Sequence, residues 1–249
     1  MLRAMTQSIR KSGHKVIETT VYAGDSDLLV LFGVGAPTHH IARQKHVASG
    51  RHALLFDLGY FSRKKITGYV RMTIDHDHPQ AWIGKTDPKP DRWSVHGIDL
   101  REDYDPEGPV ILLGLGRKAR SYLGERDWEV QEYQRIKREY PGRKIIYRPK
   151  PKHPFPPLKC EVDQTSKIED LLKGASLAAC RHSNVACDAI IAGVPFDAID
   201  GAAMWMKGRE YSPENRLDFL RRLSYWQWKS TEADQCWKFA QSMLETHED

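Results

Sequence analysis

Val110-Ile111-Leu112-Leu113-Gly114-Leu115-Gly116-Arg117-Lys118 is an apolar run that breaks into glycines and two cations. Four consecutive aliphatic residues suit a strand buried on both faces, the habit of parallel sheets. The rhythm then repeats. A helical segment leads to the strand Lys144-Ile145-Ile146-Tyr147-Arg148, then a Pro/Lys-rich loop, a short helix from Lys167 to Lys173 and a third apolar run, Ala175 to Cys180. Arg181-His182-Ser183-Asn184 follows, then an apolar helix and Gly193-Val194-Pro195. This alternation predicts a doubly wound α/β unit, and such units bind ligands where strands end and helices begin. Glycines let backbone amides approach an anion there, and helix starts add partial positive charge.

Outward from that unit, Asp105-Pro106-Glu107-Gly108-Pro109 punctuates like a linker. Upstream, Met1 to Ser12 reads as a helix stopped at Gly13, followed by a strand over Lys15 to Thr19. Leu28 to Gly35 and His52 to Tyr60 read as buried strands around a short helix, Ile41 to Ser49. A second, smaller α/β unit is expected there. Thr67 to Ile74 alternates like a strand, and the aromatic-rich stretch to Asp105 is where a cleft would be lined. After Pro195 come a helix capped by Ser212-Pro213-Glu214 and a last helix from about Ser230 to Glu245. Trp226, Trp228 and Trp237 are assigned to packing within those helices, and Trp82, Trp93 and Trp205 to loops. The boundaries expected are 1–105, 110–202 and 203–249.

The chain's 249 residues can bury a full core. A net charge of +5 with a pI near 8.9 suits a polyanionic partner, although many proteins are as basic. Its four cysteines show no CxxC pair, so reduced thiols and a cytosolic setting are expected. No apolar run is long enough to span a membrane.

Five stretches carry chemistry. Gly114 to Ala119 fits the GxGxxA form of a dinucleotide loop, with Gly114 and Gly116 shaping the turn and Arg117 and Lys118 favouring a phosphate. The second strand ends at Arg148, where an acid would take a ribose hydroxyl, so a dinucleotide would have to be NADP. Arg148-Pro149-Lys150 opens a stiff cationic loop whose plainer reading is a solvated turn. Ser183 and Asn184 are either N-caps or phosphate ligands, and Asp188, one turn into the helix, is placed for a ribose. Asp57 stands at a strand exit, and Asp75-His76-Asp77-His78 crowds acids and imidazoles nearby. Asp57 is the first candidate for a general base, with Asp75, His76 or Asp77 next. A metal reading of the Asp-His tract lacks spaced partner ligands.

The run from Ser183 to Pro195 resembles the S-[SN]-x-x-x-[ED]-A-x-x-x-G-x-P segment of GT-B glycosyltransferases. It is most similar to the capsule-polysaccharide and Kdo-transferase-like group and to phage glycosyltransferases. The resemblance covers Val110 to Ala202, and more loosely Lys11 to His14, Asp27 to Gly33 and Asp57 to Tyr60. Asp188 stands where that segment more often has Glu. The resemblance implies an α/β, GT-B-like fold of two Rossmann-like halves, with the C-terminal helices bracing them. The C-terminal half would hold a nucleotide-sugar, a UDP-sugar first, through Gly114, Gly116, Arg117, Lys118, Arg148, Lys150, His182, Ser183, Asn184 and Asp188. No metal would be required. Asp57, Asp75 and His76 would serve the acceptor side, with inversion as the expected course. Charge and the phage resemblance together imply 5-hydroxymethylpyrimidine in duplex DNA as acceptor, its base flipped out, in a host cytoplasm if the chain is phage-encoded. The alternatives are a saccharide acceptor, an NADP-dependent oxidoreductase, or a nucleic-acid-binding module without catalysis.

Overall fold

The computed structural model describes residues 1–33, 36–62, 68–151 and 156–245, the side chains of residues 117, 118 and 122 excepted. In chain order the first elements are α1 (Leu2–Lys11), β1 (Leu28–Phe32), α2 (Pro37–Ala48), β2 (His52–Leu58), β3 (Val70–Ile74), α3 (Gln80–Ile83) and α4 (Asp91–Ser94). There follow β4 (Val110–Leu113), α5 (Arg117–Leu123), α6 (Trp128–Glu139), β5 (Ile145–Arg148), β6 (Glu161–Val162), α7 (Ile168–Leu171), β7 (Leu177–Cys180) and α8 (Val185–Ala192). The chain ends with β8 (Phe196–Ala198), α9 (Pro213–Ser224), β9 (Gln227–Trp228) and α10 (Ala233–Glu245). They form two compact units, one of Met1–Pro79 with Tyr225–Asp249 and one of Gln80–Ser224. These cuts fall elsewhere than the boundaries at 105, 110 and 202, and they separate α9 from α10.

In the unit of Gln80–Ser224 the strand order is β6-β5-β4-β7-β8, every pair parallel. The first strand, β4, lies in the middle, the next two run to one side and the last two to the other. That is the doubly wound arrangement the apolar runs predict. All four residues of β4 and of β7 are buried, whereas β6, at an edge, is exposed. On α6, Trp128, Glu129, Tyr133 and Ile136 are buried, one helical stripe against the sheet. Tyr133, Ile136 and Tyr147 join Val110 and Leu112 in one core cluster. Helix α8 ends at Gly193, whose φ of +74° is left-handed. A Cβ there would also lie 2.6 Å from the Arg101 carbonyl oxygen, so glycine is required twice over. At the start of α9 the Ser212 hydroxyl accepts the Asn215 N–H at 3.3 Å, the cap its sequence announces.

The other unit departs from expectation. Its sheet runs β1-β2-β3-β9, and β1 with β2 is parallel, but β2–β3 and β3–β9 are antiparallel. Residues 59–69 are too few for the crossover a parallel neighbour needs, roughly a dozen residues or more, so β3 returns antiparallel. It is a mixed sheet rather than a second Rossmann-like half. The strand expected over Lys15 to Thr19 does not form, and Ile17 is 59% exposed. Trp228 belongs to β9, opposite Val70, and not to a terminal helix. Trp226 and Trp228 are buried, each with its ring near Phe239 of α10. Helix α10 also meets α1, where the Ser8 hydroxyl donates to Asp234.

Candidate functional site

Strand order fixes where a ligand would sit in the parallel unit. The connections of β4 and β7 leave in opposite directions, which opens a crevice beyond their carboxyl ends. Leu112 pairs with Ala179 in register, so Gly114 and Arg181 leave the sheet at the same level. The structure therefore brings the Gly114-Leu115-Gly116 turn beside Arg181-His182-Ser183-Asn184. Gly114 has no room for a side chain, because a Cβ would lie 2.9 Å from the Tyr147 hydroxyl and 3.0 Å from the Lys150 nitrogen. That fit brings the turn against the start of the cationic loop, and Lys150 Cγ is 3.8 Å from a Cβ built on Gly116.

The opposite turn is tied down by its own backbone. The Arg181 carbonyl accepts the amides of Ile199 and Asp200 at 3.2 and 3.0 Å. The Ser183 hydroxyl accepts the Val185 N–H at 3.2 Å, a local turn bond that begins α8. Asn184 holds the N-cap position with no side-chain cap bond. His182, Asn184 and Asp188 are half-buried around the same turn. Cys180 ends β7, and burial pushes its thiol up to about 12, which excludes a nucleophilic thiolate there.

Arg148, a cation expected at the site, and Arg181, which opens the second turn, meet carboxylates of the chain. Arg148 Nη1 donates to Asp163 Oδ1 at 2.9 Å. Hydrogen bonds from Ser166, helped by the Thr165 amide and Arg148, hold the Asp163 carboxyl down to about 2. Arg181 Nε donates to both oxygens of Glu125 at 2.8 and 3.0 Å. Asp163, Glu125 and the buried Glu129 are the site residues that sequence reasoning missed. Their spacing from the cations carries no local signal. The backbone of Arg117 and Lys118 begins α5. The side chains of both, and Lys152-His153-Pro154 of the basic loop, lie outside the described residues.

In the mixed-sheet unit, Asp57 sits near the end of β2, 27% exposed at its side chain. Arg71, its register partner on β3, is buried and brings Nη2 to 3.6 Å from the carboxylate. The Arg71 guanidinium also lies over the Tyr60 ring, 5.8 Å from its centre, and the Tyr60 hydroxyl is 3.1 Å from His78 Nδ1. Asp75 adopts a left-handed φ of 63° and accepts the Ala53 amide at 2.8 Å, with His52 Nδ1 at 2.7 Å. Asp77 pairs with Arg43, and His76 is exposed. The tract that looked like one cluster points its side chains to separate partners. Arg63, Lys64 and Lys65, the basic triplet after the Asp57 strand that would meet phosphates of a DNA acceptor, lie outside the described residues.

Trp82 and Trp93, read as loop residues, are buried in short helices. Trp205 stacks on Phe219 at 6.0 Å with Arg209 over its ring at 3.8 Å. A hollow of about 310 Å³, lined by Arg120, Ser121, Gly124 and Arg126, opens at the far end of α5 rather than at the strand exits. Among the described residues no helix is long and apolar enough to cross a membrane.

No family model matches the chain, and no curated protein matches it in sequence. Among solved structures it is similar to Thermosulfurimonas dismutans KpsC, beta Kdo 2,4 transferase. That match has 14% identity and a TM-score of 0.48 and covers 80% of this chain and 79% of that one. It is also similar to the beta Kdo 2,7 transferase of the same organism's KpsC, again at 14% identity and a TM-score of 0.48. There 93% of this chain and 87% of that one are covered.

Proposed function

We propose that the chain is a glycosyltransferase that moves a sugar from a nucleotide-sugar to a hydroxyl acceptor. The observation that carries the reading is the pair of turns, Gly114 to Gly116 and Arg181 to Asn184, at the switch point between β4 and β7. Ligands of open α/β sheets bind at that position. Gly116, His182 and Asn184 would face the phosphate with Lys150, and Asp188 would take the ribose. Arg117 and Lys118 would add charge against the leaving nucleotide as the glycosidic bond breaks. A dinucleotide is less well served, since the Leu115 N–H is already bonded to Glu129 and Arg148 to Asp163. Asp57 would take the acceptor proton.

Nucleotide binding is the direct test. UDP first, then GDP, ADP, CMP and NADPH, are added to the protein and unfolding is followed by heating. A ligand at about 100 times its Kd stabilises by about 2.7 kcal/mol, a shift of several degrees for a chain of this size. A shift with a nucleoside phosphate and none with NADPH is expected. Silence with UDP, GDP, ADP and CMP alike would remove the donor site.

The acceptor we place first is 5-hydroxymethylpyrimidine in duplex DNA, on the net charge of +5 and the Arg63-Lys64-Lys65 triplet that follows Asp57 by a few residues. DNA affinity should then fall with salt at a log–log slope of about −0.9 per phosphate neutralised, and neutralising the triplet should flatten it. Transfer is compared on hydroxymethylated DNA, unmodified DNA and free oligosaccharides. Transfer to saccharide alone, or binding indifferent to salt, would replace the DNA acceptor with a saccharide and leave the transferase reading intact.

A further inference from the structure

We infer that Arg120 and Glu129 form a clamp that sets the shape and the charge of the glycine turn before any ligand arrives; the inference rests on the donor site proposed above. Glu129 stands in the first turn of α6 with 0% of its surface exposed. Its Oε1 accepts the Leu115 N–H at 2.8 Å, and Arg120 Nη2 pairs with the same oxygen. Arg120 Nε reaches the other side of that residue and donates to the Leu115 carbonyl at 3.2 Å. One ion pair thus holds both backbone polar atoms of the residue between Gly114 and Gly116. The Tyr147 hydroxyl adds a longer contact to Oε1 at 3.5 Å, and burial pushes its phenol well above the usual value. The Leu115 side chain is itself buried, so the turn is anchored through side chain and backbone alike.

Such an arrangement is costly if its purpose is stability alone. A fully buried carboxylate loses its hydration, and apolar replacements of buried ion pairs are often as stable or more so. Glu129 Oε2, moreover, is buried with no hydrogen-bond partner among the described residues. What the pair achieves is direction. The Leu115 N–H faces inward, so the amide of Gly116 and those that follow are left to meet a phosphate. Arg120 also cancels a negative charge placed directly under an anion-binding turn. Fixed dipoles stabilise developing charge because they need no rearrangement when it forms.

The charge role separates this clamp from ordinary packing. Arg120→Gln leaves the Glu129 carboxylate uncompensated beneath the turn, and one such charge near a phosphate, at an effective dielectric of about 20, weakens binding by at least about tenfold. Glu129→Gln keeps the acceptor for Leu115 and removes the charge, so it should bind the nucleotide at least as tightly as the unaltered protein. The double variant should regain most of the affinity that Arg120→Gln loses. Nucleotide Kd is measured for all three, with amide hydrogen exchange at Leu115 read without nucleotide. Glu129→Leu should abolish Leu115 protection, and Glu129→Gln should retain it. Equal Kd values across the three variants, or a double variant no better than Arg120→Gln, would overturn the charge role. Unchanged Leu115 exchange in Glu129→Leu would overturn the clamp, and if that variant does not fold, unchanged Leu115 exchange in Glu129→Ala would do so. If the unaltered protein binds no nucleotide, the donor reading fails by itself, and the exchange measurements still decide whether the clamp exists.

Discussion

Asp57→Asn is expected to cut sugar transfer by about 10²–10⁴-fold, the usual cost of losing a general base, with nucleotide affinity unchanged. The two effects separate because Asp57 belongs to the mixed-sheet unit and the donor residues to the parallel one. A plain structural role for Asp57 makes a different forecast. Its carboxylate lies 3.6 Å from the buried Arg71 guanidinium, so a merely stabilising Asp57 would show its loss in unfolding and not in rate. The measurements are therefore single-turnover transfer across pH and thermal unfolding of the same variant. A base leaves a folded protein whose single-turnover rate has collapsed. A folded, active Asp57→Asn enzyme would transfer the role to the Asp75–Asp77 tract. There Asp75 already accepts the Ala53 amide and Asp77 pairs with Arg43, which leaves exposed His76 as the next residue to replace.

How much of this was legible depends on whether the signal was local. Val110 to Leu113, Ile145 to Tyr147 and Leu177 to Cys180 are strands buried on both faces, so each reads as an unbroken apolar run between turn residues. Their parallel pairing followed from the helices between them. The Gly193-Val194-Pro195 ending of α8 was equally plain, because a left-handed cap and a following proline are properties of the residues themselves. The mixed unit was not legible in the same way. Strand β9 is two residues long and exists because Trp228 meets Val70 far back along the chain. Lys15 to Thr19 has strand composition and no strand, since propensity on a half-polar segment yields to the lack of a partner.

The candidate site divides along the same line. Glycines and cations at strand exits were visible, and the fold gathers Gly114, Gly116, Ser183 and Asn184 at one crevice. Invisible were the acids that answer the cations. Glu125 meets Arg181 across 56 positions and Asp163 meets Arg148 across 15, separations that no motif records. An arginine beside a glycine turn looks like a phosphate ligand until its carboxylate is known. Glu129 was missed for the opposite reason, since in sequence it is one more charged residue on an amphipathic helix.

Arg216→Met should destabilise the parallel unit by about 2–6 kcal/mol, from two carbonyls left unsatisfied at about 1–3 kcal/mol each. Arg216 is fully buried on α9, and its Nη1 donates to the carbonyls of Arg101 and Ile190, both at 3.1 Å. The segment it holds runs beside the end of α8, where the Arg101 and Asp103 amides donate to Ile191 and Ala192 at 2.8 Å. The ion pair with Glu102 matters less, because the Glu102 side chain is 68% exposed and its charge stays in water. Glu102→Gln is therefore expected to cost less than about 1 kcal/mol. Arg216→Lys should fall between the two, since one ammonium cannot reproduce the spread of a planar guanidinium. Urea unfolding with a shared m-value gives the ranking. Equal losses from Glu102→Gln and Arg216→Met would make the charge pair the determinant and refute the carbonyl account.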